Sequence, residues 1–99
     1  MKRSLAAALL AWGLVAPVGA ADVFKGRETY AMYCAACHGP AGLAVMPGAP
    51  NFARGDRLMQ PDTALLASIR AGRNAMPAFA GVLRDQEILN VIAFLRTLR

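Results

Sequence analysis

Cys34, Cys37 and His38 are the only cysteines and the only histidine of this 99-residue chain, and they fall within five residues, Cys34-Ala35-Ala36-Cys37-His38. Two thiols and an imidazole at this spacing could form a redox dithiol, half of a zinc site, a structural disulfide or a covalent haem attachment. A zinc site calls for further Cys or His ligands, and the sequence holds none. A redox C-x-x-C is expected beside a strand in a βαβ pattern, whereas this one closes a helical segment. C-x-x-C-H is the spacing of c-type haem attachment. Thiols one helical turn apart can add to the two vinyl groups of one porphyrin, and the next residue offers its imidazole to the iron.

The segments on either side must hold that motif in place. From Asp22 to Cys34 the pattern is helical, with Phe24, Tyr30 and Ala31 among Lys25, Arg27, Glu28 and Thr29, and with Asp22 available as N-cap. Gly26, Tyr30 and Cys34 are four apart and share one face, so a second helix could cross closely at the glycine. After His38 the chain turns Gly- and Pro-rich through Phe52, which predicts a wrapping loop. Residues 53–60 carry Arg54, Asp56 and Arg57 and read as solvated. Asp62 to Arg70 predicts a short helix capped by Asp62, with Leu65, Leu66 and Ile69 inward and Gly72 as its stop. Asp85 to Arg99 predicts the last helix, with Ile88, Val91, Ile92, Leu95 and Leu98 on one stripe and Arg96 and Arg99 near its negative end.

Residues 1–20 read as a secretory signal peptide: a basic start at Lys2 and Arg3, an apolar run, and small residues before Ala21. The run is interrupted by Gly13 and Pro17 and is shorter than the ~20 residues that span a bilayer, which weighs against a retained anchor. Cleavage would leave one domain, residues 21–99, with no membrane span and its formal charge reduced from +5 to +3 by loss of Lys2 and Arg3. The remaining charges are scattered, so the high pI points to no nucleic-acid partner. A domain this small is marginal by itself, and a covalently held haem would supply core volume.

Across residues 21–99 the sequence resembles the class I cytochromes c, which implies an all-α fold of about four short helices wrapped around one covalently attached haem c. In that family a proline about a dozen residues after the histidine accepts the imidazole Nδ1 hydrogen bond through its carbonyl, and Pro50, followed by Asn51 and Phe52, matches that place. The loop bearing Met-Pro-x-Phe supplies the sixth iron ligand there, which nominates Met76, with Phe79 beside it, over Met46 and Met59. Haem contacts are thus expected from Cys34, Cys37, His38, Pro50, Phe52, Met76 and Phe79, with His38 and Met76 on the iron. Arg54 and Arg57 are either surface charges or propionate partners. The resemblance also places Val91 and Phe94 against Gly26 and Tyr30 where the first and last helices cross. Where the family often has Ser or Thr before the last helix this chain has Arg84, so Asp85 is expected to take over as cap.

The expected function is non-enzymatic: a monomeric, periplasmic, mono-haem carrier of single electrons between redox protein partners. The strings Pro50-Asn51-Phe52-Ala53-Arg54-Gly55-Asp56 and Gln60-Pro61-Asp62 are similar to those of the small cytochromes c encoded with the dissimilatory nitrite reductase of denitrifying bacteria. That likeness implies electron donation to the reductase, or an accessory part in its maturation. A five-coordinate haem acting as sensor or peroxidase is the remaining alternative, and the Met76 motif speaks against it.

Overall fold

The computed structural model describes residues 19–99, so the first eighteen residues of the expected leader lie outside it. Four helices follow in order: α1 (Val23–Tyr33), α2 (Ala35–His38), α3 (Asp62–Ala71) and α4 (Asp85–Leu95), with a 3-10 turn at Phe52–Arg54. Among the described residues, the sheet-like pairings outside these helices are two isolated bridges, Arg73 with Met76 and Ala80 with Leu83.

Asp22 starts α1 as expected, its carboxylate accepting from the backbone N–H groups of Phe24 at 2.9 Å and Lys25 at 3.1 Å. Two other caps differ from expectation. Asp62 and Asp85 are each the first helical residue, with Pro61 and Arg84 preceding them as the caps. The Arg84 N–H donates to Glu87 Oε1 at 3.0 Å, which is the glutamate half of a capping box, while no cap side chain accepts from the first-turn N–H groups as a Ser or Thr would. The freed Asp62 carboxylate accepts from Arg96 at 2.7 Å, and the same guanidinium donates to the Leu58 carbonyl at 2.7 Å and the Gln60 carbonyl at 2.9 Å. Arg96 therefore lies past the end of α4, which stops at Leu95 rather than running to Arg99, and it binds the 58–62 loop to that helix end.

The core is where α1 crosses α4. Gly26 and Tyr30 are the buried residues of α1, whereas Phe24, placed in its apolar pattern, is 80% exposed. A Cβ on Gly26 would stand 1.9 Å from the Asn90 carbonyl oxygen, so the two backbones meet directly there. One turn on, the Tyr30 and Phe94 rings pack at 5.2 Å. Ile88, Val91, Ile92 and Leu95 are buried on the predicted stripe, with Leu98 packed at its edge. Side chains of this size each contribute about 1.5–3 kcal/mol when buried. Leu65, Leu66 and Ile69 bring α3 onto this core, and Gly72, at φ 75°, ends α3.

Candidate haem site

Between these helices lies a cleft of about 370 Å³, its open mouth included. It is lined by Tyr30, Cys34, His38, Phe52, Ile69, Met76, Phe79 and Leu83. Ile88, Val91 and Leu95 of α4 complete the lining. Apart from the Tyr30 hydroxyl, its polar or metal-ligating atoms are one thiol, one imidazole and one thioether.

Cys34 closes α1 and starts α2, so Cys34, Cys37 and His38 follow one helical path. Burial first, and Cys37 second, push the Cys34 thiol up to about 11. The folded chain thus holds it protonated and weakly nucleophilic. His38 is buried, with Phe52 stacked on its ring at 4.7 Å. Burial lowers the imidazole pKa, and the backbone of Pro50 opposes that fall as acceptor to the ring. Nδ1 is nevertheless the one buried polar side-chain atom among the described residues without a hydrogen bond of full geometry. The expected Pro50 partnership is therefore present as a facing carbonyl rather than a closed bond. Loop anchoring is tighter: the Cys37 carbonyl accepts from the N–H groups of Val45 and Met46, and Asn51 Oδ1 accepts from the Ala44 N–H at 2.7 Å.

Met76 sits in a closed turn. Its N–H donates to the Arg73 carbonyl at 2.9 Å, and its own carbonyl accepts from the Arg73 N–H at 3.0 Å. Asn74 makes the turn with φ 53°, in the left-handed region. Downstream, the N–H groups of Phe79 and Ala80 donate to the carbonyls of Ile69 and Arg70, which ties the loop back to α3. The rival methionines lie elsewhere. Met46 is exposed on the loop after the motif and Met59 is 87% exposed, and neither lines the cleft.

Arg54 and Arg57 are also exposed and outside the cleft wall, Arg54 in the 3-10 turn and Arg57 with a left-handed φ of 66°. Two residues outside the expected site carry buried polar groups, one in the cleft lining and one in α4. Tyr30 lines the cleft and donates its hydroxyl to the Gly39 carbonyl at 2.6 Å. Asn90 is buried in α4, its Oδ1 accepting from the Asp22 N–H at 2.8 Å and from Gln86 at 3.1 Å. The signal for Tyr30 was its type, since a buried tyrosine needs a partner for its hydroxyl.

The residues fit a haem: a cleft lined by apolar side chains, to which one thiol, one imidazole and one thioether are exposed. The profile of the family described as cytochrome c oxidase, cbb3-type, subunit III matches residues 21–95. Cytochrome c6 of a Picosynechococcus strain is 35% identical over 96% of this chain and 92% of its own length. The chain belongs to the class I cytochrome c family. Cytochrome c6 of Thermosynechococcus vestitus is 38% identical over 76% of this chain and 69% of its own. The crystal structure of cytochrome c6 from the diatom Phaeodactylum tricornutum superposes with a TM-score of 0.58 at 32% identity, covering 77% of this chain and 92% of that one. This cytochrome therefore carries one covalently bound haem c and is an electron-transfer protein rather than an enzyme.

Proposed function

We propose that this cytochrome is a periplasmic carrier of single electrons, secreted with cleavage after Ala20, whose haem is held by Cys34 and Cys37 and ligated by His38 and Met76. The observation that supports it most is the convergence of Cys34, His38 and Met76 on one apolar cleft. Bound haem supplies one-electron chemistry at iron, and a neutral thioether ligand favours the ferrous state. The chain's own part is to hold and to exclude. Phe52 fixes the His38 ring face, the Pro50 carbonyl is positioned to orient Nδ1 and leave Nε2 for the metal, and Ile88, Val91 and Leu95 of α4 keep their part of the lining apolar. No general acid or nucleophile is needed. Arg54 and Arg57 are proposed as propionate partners that swing in from the surface.

For the partner, we propose a dissimilatory nitrite reductase, on the strength of the 50–56 and 60–62 strings. A strain lacking this chain separates donation from maturation: a reductase that is intact but slow supports the donor role, and one that lacks its own haem supports the accessory role. The ligand set is tested on protein exported with the haem-attachment machinery. A pyridine haemochrome should report one haem with both vinyl groups consumed, and the ferric protein should show the weak long-wavelength band of methionine-to-iron coordination. Carbon monoxide binding by reduced wild type would instead indicate an open iron and the sensor reading.

A further inference from the structure

Tyr30 occupies a position that neither packing nor haem attachment requires to be a tyrosine. Its ring fills the α1–α4 crossing against Phe94, a task phenylalanine would perform equally well. Its hydroxyl reaches out of that crossing to the carbonyl of Gly39, the residue directly after His38, at 2.6 Å in a buried setting. The peptide it grips has little freedom of its own. Gly39 stands at φ 82°, and a Cβ there would lie 1.9 Å from the Leu43 carbonyl oxygen. Its N–H donates to the Ala35 carbonyl at 2.9 Å, and its carbonyl accepts a second bond from Gly42 at 3.1 Å.

We infer that Tyr30 is a positioning residue for the iron: its hydroxyl fixes the His38–Gly39 peptide and, through it, the orientation of the His38 ring in the cleft. The contact ties the His38–Gly39 peptide to α1 through this one hydroxyl. Ring orientation is otherwise set by the Phe52 stack and by a Pro50 carbonyl that does not close a full hydrogen bond. A third constraint from behind the backbone therefore has something to decide. Without it the His38 turn gains slack, water reaches the ligand more easily, and the ferric state is favoured.

This inference rests on His38 ligating the iron, and the test separates the two. In the haem-loaded protein, Tyr30→Phe keeps the ring and removes only the donor. The expected result is a lower reduction potential and altered g-values in the ferric electron paramagnetic resonance spectrum, with the haem still covalently attached. Phe94→Leu is the packing control and should lower the unfolding midpoint while leaving potential and g-values in place. Replacing tyrosine with 3-fluorotyrosine, a stronger donor, keeps the fold and should shift the potential in the direction opposite to Tyr30→Phe. An unchanged potential and spectrum in both Tyr30→Phe and the fluorinated protein would overturn the inference and leave Tyr30 a packing residue. A wild-type spectrum lacking histidine ligation would remove its foundation instead, and would do so before any variant is made.

Discussion

The carbonyl oxygen of Asn90 occupies the space into which a Gly26 side chain would grow, 1.9 Å from the site of its Cβ. The obstacle is helix backbone, which cannot rotate aside as a side chain can, so any residue larger than glycine must push α1 off α4. Gly26→Ala should cost about 3 kcal/mol, the upper end of the usual overpacking range, read as a lowered denaturant midpoint with unchanged slope. A midpoint equal to wild type would mean that the helices do not cross at this distance.

Asn90 carries its own prediction. Its Oδ1 is the acceptor for the Asp22 N–H from the other end of the chain, and Asn90→Leu would leave that donor unpaired at the edge of the crossing. The expected loss is about 1–3 kcal/mol, accompanied by faster hydrogen exchange at the Asp22 amide. Unaltered exchange at that amide would show that the bond contributes nothing to the seat of α1.

These two residues show how far the sequence could be read. Gly26, Tyr30 and the α4 stripe were legible because helical periodicity is a local property, and the attachment motif because its chemistry is complete within five residues. Asn90 was not. A polar residue inside an apolar run reads as solvent-facing, and what buries it is a donor 68 residues away. By position Arg96 complements the helix dipole, whereas its guanidinium gathers the Leu58 and Gln60 carbonyls from a loop with no regular pattern. Pairings that close over long sequence separations leave no periodic trace.

Met76 is tested by removal. Met76→Ala should abolish the long-wavelength ferric band, lower the potential and let reduced protein bind carbon monoxide, because a soft neutral donor is lost and the site opens. Met46→Ala and Met59→Ala should alter none of the three, since both side chains lie outside the cleft wall. Loss of the band in Met46→Ala with its retention in Met76→Ala would reverse the assignment.

The Tyr30 phenol predicts an alkaline limit. Burial first, and Cys34 second, push it up to about 12, against ~10 for an unfolded tyrosine. Above pH ~10 the unfolded chain releases this proton before the folded one does, so the unfolded state is favoured increasingly. The contribution is intact below that pH and is lost on approach to the folded value. Unfolding midpoints measured from pH 8 to 12 should fall less steeply for Tyr30→Phe, and parallel curves would show that another group sets the limit.

Arg73 and Met76 exchange two backbone hydrogen bonds, so the backbone of the sulfur-bearing residue is placed by its own turn. A thioether carried this way can detach without the loop unravelling, and it returns to the same spot when it rebinds. If Met76 ligates the iron as proposed, breaking that bond would be a one-bond event rather than a local melting. The same stiffness means that little of the surrounding matrix has to rearrange when an electron arrives or leaves.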